Sequence, residues 1–321
     1  MNDFWNDYPA IKHDLAKVND LMLEILKKGH PVVRDVLTNL VSSNGKMLRA
    51  GFFLICSKFG DFDPDKSYKF GAAIELLHLA TLIHDDVIDD SKLRRGIPTI
   101  HINHGKRNAV LMGDYLLSQC FILVSDYAKA ENVRRLSHAL SSLCSSELNQ
   151  SAQLYRKSTS IRQYLRRIIG KTGALFSLSC YAGGLESGCQ EKTILTMERI
   201  GYNIGIGFQI IDDILDFEGN KKVIGKPLNK DLQEGVFTLP LIYALENDDG
   251  RLGRLLEKFP YSEKNITKIT SLVYEFNGIN MAKTLAQKYT ERASREIDKL
   301  PGGENRTIFS EVTKKLLSRS K

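Results

Sequence analysis

An all-α stacked helix bundle is the fold this chain predicts, on three observations. No proline falls between Pro98 and Pro227, so a long span is free for uninterrupted helices. Within that span apolar residues recur at every third or fourth position. Period-two alternation is scarce, and no Asn-Gly or Asp-Gly pair joins β-branched runs.

The elements follow in order. GDFDPDKS (60–67) is a polar link, and the apolar stretch after it ends in LLHLATLIHDDVIDD. SKLRRGIPTIHINHGK (91–106) reads as a basic link. Leu111, Tyr115, Leu116 and Cys120 then mark one helical face, Leu136, Leu140, Leu143 and Leu148 a second, and Ile161, Tyr164, Leu165 and Ile168 a third. AVLMGDYLLSQCFILV carries Asp114 near its middle and reads as a core helix; no run of 18 uncharged apolar residues occurs. EGNKKVIGKPLNKDLQEG (218–235) is Gly-rich, carries four lysines and reads as a lid over phosphates or a solvated loop. From about Asn265 onward the pattern is amphipathic helix with a basic terminus. A single domain over 1–321 is expected.

Composition narrows the function. The 321 residues are 42% hydrophobic and 26% charged, ordinary for a globular protein. A net charge of +7 and a pI near 9.0 suit an anionic substrate or membrane surface. No basic stripe with interleaved aromatics points to nucleic acid. The five cysteines form no CxxC pair and read as reduced thiols of a cytoplasmic protein. MNDFWNDYPA has no basic segment before an apolar core, so no signal peptide is expected.

One acidic word, Asp-Asp-x-x-Asp, occurs twice: Asp85, Asp86 and Asp89, then Asp212, Asp213 and Asp216. Residues four apart on a helix share a face, about 5–6 Å between Cβ atoms, so Asp85 pairs with Asp89 and Asp212 with Asp216. Like charges there repel, more strongly in apolar surroundings, and a shared cation is the usual reason a fold keeps them. All-oxygen donors suit Mg2+, which takes one or two carboxylates, waters and substrate phosphates. Two such half-sites facing each other would clamp a polyphosphate. One copy could equally be a helix cap or a solvated face; two copies after apolar helical runs favour metal.

Basic residues accompany both words: Lys46 and Arg49 in NGKMLRAGF, Arg94 and Arg95 after the first, and Lys171-Thr172 before the second. Gln209 stands one turn before Asp212, and Lys226 lies in the lid segment. Arg forks and Lys point charges bind phosphate oxygens, so together these read as two anion pockets around one metal cluster.

The motifs resemble those of the trans-isoprenyl diphosphate synthase (polyprenyl synthetase) family over about residues 40 to 245. DDVIDDSKLRRGIPTIH, MGDYLLS, GKTGALF, FQIIDDILDFEG and GKPLNKDLQEG stand in the family's order and spacing. The resemblance implies the isoprenoid synthase type I fold, helices around a deep central cavity, and usually a dimer. It implies that Asp85, Asp86, Asp89, Asp212, Asp213 and Asp216 hold Mg2+, about three ions per site, against an allylic diphosphate. Arg94, Lys171 and Lys226 would bind that diphosphate; Lys46, Arg49, His78 and Arg95 would bind isopentenyl diphosphate. Thr172 and Gln209 would face the allylic carbon, their oxygens stabilising a cation there.

On that resemblance the expected reaction is Mg2+-dependent ionisation of the allylic diphosphate, attack by the double bond of isopentenyl diphosphate, and proton loss to the departed diphosphate. Small residues at Ala80 and Thr81, where the family uses bulky aromatics to close the cavity early, imply an all-trans product longer than farnesyl, from geranylgeranyl to heptaprenyl or beyond. Leu77, Leu116, Leu117 or Phe121 could restore a floor. Membrane contact is expected only at the periphery, for product release.

The chain departs from the family at three places. Asn44, Met47 and Ala50 replace usual residues around Lys46 and Arg49, Lys230 stands where Gly is usual in the lid, and Val236 where many members have Lys. Competing readings are a class I terpene cyclase, the catalytic subunit of a heterodimeric long-chain synthase, a non-catalytic subunit, and a di-iron bundle. The last rests on Glu75-x-x-His78 and lacks the second such pair it needs.

Overall fold

A computed structural model of the chain describes residues 3–42, 45–94, 96–152, 154–155, 159–218, 229–257 and 259–318. They are overwhelmingly helical, as the 3.6-residue periodicity requires. The order is α1 (Pro9–Lys27), α2 (Pro31–Ser42), α3 (Leu48–Ser57), α4 (Pro64–Ile88), α5 (Ile100–His104), α6 (Lys106–Ser125), α7 (Ala130–Ala152), α8 (Ile161–Ile168), α9 (Ala174–Glu186) and α10 (Glu191–Glu218). Helices Lys230–Gln233, Leu239–Glu246, Arg251–Leu256, Glu263–Glu275, Gly278–Ile297 and Glu304–Leu317 follow.

Three segments differ from expectation. Helix α4 begins inside the expected 60–67 link, because Asp63 caps it by accepting the Lys66 N–H at 3.3 Å and Pro64 suits the first helical position. The basic link holds an antiparallel hairpin, β1 (Leu93–Arg94) with β2 (Ile97–Pro98), and then α5. The hairpin turns at Gly96, whose φ of +79° costs a residue without Cβ little. The tail is broken helix, interrupted at left-handed Asn277 (φ 63°) and again between Ile297 and Glu304.

The chain forms two compact units. One comprises Met1–Arg134, Ser179–Glu198 and Leu300–Phe309. Its core holds Trp5, Phe52, Phe53, Leu76, Leu116 and Phe309, and each such side chain contributes about 1.5–3 kcal/mol on burial. Gly51 on α3 leaves room for the Trp5 indole, whose Nε1–H donates to the Lys46 carbonyl at 2.6 Å. Helices α4 and α6 pack along each other.

The other unit comprises Arg135–Leu178, Arg199–Lys299 and Ser310–Lys321. Tyr164, Phe176, Ile204, Ile210, Leu239, Val273 and Ile297 form its core. A Cβ added to Gly205 of α10 would come within 2.8 Å of the Gly173 Cα, so these two glycines bring the segment before α9 directly onto α10.

Helix α6 is not the core helix its composition suggested. Leu116 and Cys120 are buried, but Leu111 is 55% and Ile122 61% exposed, with Val110 and Phe121 beside them. Its most apolar stretch is 33% buried, and by length and composition alone the helix could cross a membrane. The reason is directional: one face packs on α4, while equally apolar residues occupy the opposite face. Leu148 on α7, one of the periodic apolar positions, is likewise exposed.

Candidate active site

The first acidic word occupies the last turn of α4. Asp86 is buried, Asp85 half-buried and Asp89, the C-cap, exposed. Arg94 on β1 turns its guanidinium back onto Asp86. Its Nε donates to Oδ1 at 3.0 Å and to Oδ2 at 2.8 Å, and a terminal nitrogen lies 2.8 Å from Oδ1. The hairpin thus delivers a cation to the one carboxylate of the three that water reaches least.

In the same unit, Arg49 lies on α3 and His78 on α4, which pack together, and Lys46 lies in the segment just before α3. Glu75, three residues before His78, is buried and accepts the Ala50 N–H at 3.0 Å. That bond anchors the start of α3, next to Arg49, on α4, and gives Glu75 a structural task. Lys46, Arg49 and His78 are each half-buried. Ala80 is 2% exposed, and Thr81 is half-buried with its hydroxyl donating to the His78 carbonyl at 2.8 Å.

The second acidic word lies on α10. Tyr164 and Gln209 both donate to Asp213, the Tyr164 hydroxyl to Oδ2 at 2.7 Å and the Gln209 amide to Oδ1 at 2.9 Å. Thr172 donates to the Gln209 Oε1 at 2.7 Å, which orients the amide with its nitrogen toward Asp213. Thr172 is placed by a π-helical turn, Ile169–Gly173, seated on α10 by the glycine contact above. Lys171 of that turn pairs with Glu147 on α7 at 2.8 Å.

Burial pushes the Asp213 carboxyl up to about 8; the charge of Asp231 adds to this, while the bonds from Tyr164 and Gln209 and the charge of Arg167 oppose it. Burial also raises the Tyr164 phenol well above its ordinary range, with Asp213 the next cause. Asp216 holds the described part of the expected lid segment: its Oδ1 accepts the Lys230 N–H at 3.2 Å and its carbonyl the Asn229 N–H at 3.1 Å.

Reading the sequence missed four of these participants. In the linear chain Tyr164 marks only a position on a helical face, and nothing short-range links its phenol to Asp213, 49 residues on. Glu147, Arg167 and Asp231 gave no signal, because their roles depend on segments remote in sequence. Arg95, Lys226 and residues 219–228 of the expected lid lie outside the described residues. Val236 is placed by its N–H donating to the Asp231 carbonyl at 2.8 Å.

Among the described residues no three His, Cys, Asp or Glu side chains form a ready-made metal cage. The donor chemistry nevertheless fits a hard cation bound through few carboxylates and substrate phosphates. Burial is the main reason that Asp213 holds its proton, and a bound divalent cation would favour its charged form.

Arg94 answers the first acidic word at Asp86, while neutral donors, Tyr164 and Gln209, hold the second at Asp213. A family model described as polyprenyl synthetase matches residues 30–274. The heptaprenyl diphosphate synthase component 2 of Bacillus subtilis is 31% identical over 307 residues, 96% of this chain and 88% of that one. Among solved structures, the geranylgeranyl pyrophosphate synthase of Lactobacillus brevis aligns with a TM-score of 0.92 and 36% identity, over 98% of this chain and 99% of the other. A polyprenyl synthase of Caulobacter crescentus, complexed with calcium and isoprenyl diphosphate, aligns at 0.92 and 28% identity, over 97% and 96%. This chain belongs to the polyprenyl synthetase family. It is a polyprenyl diphosphate synthase, a transferase that lengthens a prenyl diphosphate.

Proposed function

We propose that the enzyme condenses isopentenyl diphosphate with an allylic diphosphate to an all-trans prenyl diphosphate longer than farnesyl. The observation that carries this is a family match running unbroken through both acidic words. The relatives named above include heptaprenyl and geranylgeranyl synthases, which supports a product from geranylgeranyl to heptaprenyl or longer. Ala80, small and buried on α4 about one turn before Asp85, supports a cavity that stays open at that depth.

Asp85, Asp86, Asp89, Asp212, Asp213 and Asp216 bind Mg2+, about three ions as Mg2+ sites shared with phosphates allow. Calcium in the Caulobacter relative supports a divalent cation. Bound there, the metal supplies charge neutralisation to the leaving diphosphate. Arg94 and Lys171, now paired with Asp86 and Glu147, supply cations to the allylic diphosphate. Lys46, Arg49 and His78 orient isopentenyl diphosphate. Thr172 and Gln209 present their oxygens to the allylic carbon, already ordered by their mutual bond.

The chain works as one domain and pairs as a homodimer. The exposed apolar residues of α6 support a second copy as its partner. The component 2 name of the Bacillus relative favours a second arrangement, a heteromer with a different chain. The free thiols support a reducing, cytoplasmic location.

The deciding experiment incubates the protein with Mg2+, labelled isopentenyl diphosphate and dimethylallyl, geranyl or farnesyl diphosphate, and sizes the dephosphorylated products. A ladder ending beyond fifteen carbons is expected. A ladder ending at farnesyl overturns the length; no incorporation by a folded homogeneous protein overturns the stand-alone enzyme and favours the heteromer.

A further inference from the structure

The last turn of α4 is unfavourable by its own composition. Asp85, Asp86, Asp89 and Asp90 crowd a helix C-terminus, where the dipole disfavours anions and carboxylates on one face repel. Arg94 counters this from the hairpin side. From the α6 side the counterpart is His84, the residue immediately before Asp85.

His84 Nε2 lies 3.2 Å from the Val110 carbonyl oxygen and 3.3 Å from Asp114 Oδ1, both on α6. Both neighbours are acceptors, so Nε2 is the nitrogen that carries the proton. The ring rests on Gly113. A Cβ there would overlap His84 Nε2 and stand 2.6 Å from Cδ2. Gly113 has no positive φ, so backbone freedom does not explain it. A glycine inside a helix costs roughly 0.5–1 kcal/mol relative to alanine. What it provides here is the seat for an imidazole. Asp114 is 58% exposed, so its ionic share is small, and the seat and the Val110 bond do most of the holding.

We infer that His84 is a positioning residue for the first acidic word, seated on Gly113 and tied to α6 through Val110 and Asp114, so that Asp85 and Asp86 meet the divalent cation already aligned. The inference rests on the reading that Asp85 binds metal. Removing the ring leaves the carboxylates in place but frees the turn that carries them. Filling the seat with Gly113→Ala displaces the ring with the same consequence. A glutamine at 84 can carry an amide nitrogen to about where Nε2 stands and keep the bond to Val110.

The test compares wild type, His84→Ala, His84→Gln, Gly113→Ala and Asp85→Ala by three readouts. These are half-saturating Mg2+ in the condensation assay, calorimetric binding of Mg2+ with inorganic pyrophosphate to the substrate-free protein, and thermal midpoint. His84→Ala and Gly113→Ala are expected to weaken Mg2+ dependence and pyrophosphate binding by about 10- to 100-fold, the usual range for residues that orient metal ligands. KM for isopentenyl diphosphate should stay within about twofold of wild type, because that contact is uniform binding elsewhere. His84→Gln should recover most of the loss. Unchanged Mg2+ dependence in folded His84→Ala, or a His84→Gln no better than alanine, overturns the inference while Asp85→Ala still loses pyrophosphate binding. If Asp85→Ala itself binds Mg2+ and pyrophosphate like wild type, the metal reading fails first and this inference falls with it.

Discussion

The Tyr164 hydroxyl, on a fully buried ring, donates a 2.7 Å hydrogen bond to Asp213 Oδ2. One helix thereby holds the central carboxylate of the second acidic word by a group that the pattern of that word does not contain. Gln209 holds the other oxygen, so Asp213 is fixed from two directions before any ligand arrives.

Tyr164→Phe removes the hydroxyl and leaves the ring. A buried carboxyl that loses one donor is left partly unsatisfied, so a stability loss of roughly 1–3 kcal/mol is expected. Urea unfolding monitored by circular dichroism reads this directly. An unchanged midpoint and slope would mean that the bond does not form in solution.

Asp85→Ala and Asp212→Ala should each lower kcat by at least about 10²-fold, the scale of losing an electrostatic contact to the departing group. Neither should unfold the protein, since both side chains are half-buried and removing them relieves repulsion. Turnover near wild type in either variant would falsify its assignment as a metal ligand.

Arg94→Lys keeps the charge but loses the planar fork on Asp86. Hydrogen bonds to charged groups contribute about 1.5–3 kcal/mol, and a single ammonium cannot replace two of them. KM for the allylic diphosphate should rise more than KM for isopentenyl diphosphate, and steady-state kinetics with each substrate varied in turn separates the two. Equal increases would remove Arg94 from the allylic pocket.

Ala80→Phe places a bulky ring where a 2% exposed methyl stands. Overpacking of this kind costs about 1–3 kcal/mol, and the product should shorten if the growing chain runs past that point. Product sizing at saturating substrates decides; an unchanged length puts the floor elsewhere, with Leu116 the next buried candidate on α6.

Leu111→Glu with Ile122→Lys places charge on the exposed face of α6. If the proposed homodimer forms through this face, sedimentation should shift from dimer to monomer with a thermal midpoint little changed. A dimer that survives both changes must use another surface.

The acidic words, the helical periodicity and the cations around them were legible in the linear chain because each depends on residues within a turn or two. Spacing of four puts Asp85 over Asp89 whatever packs around them. The all-α class was legible for the same local reason, and so was the kinship its motifs suggested. The hairpin at residues 93–98 was not, since two residues per strand carry no periodicity. Nor was the exposure of Leu111 and Leu148, because an apolar face announces that something covers it without saying whether that cover is in the same chain.

What the linear chain determined by itself was therefore the helical class, the two triads of carboxylates and the residue types around them, all set by local spacing. Only the tertiary structure decided that Arg94 answers Asp86, that Lys171 answers Glu147, that Tyr164 holds Asp213 and that His84 rests on Gly113. Each of the four joins separate elements. Which distant segments meet is settled by the packing of the whole core, and short-range residue order does not encode it.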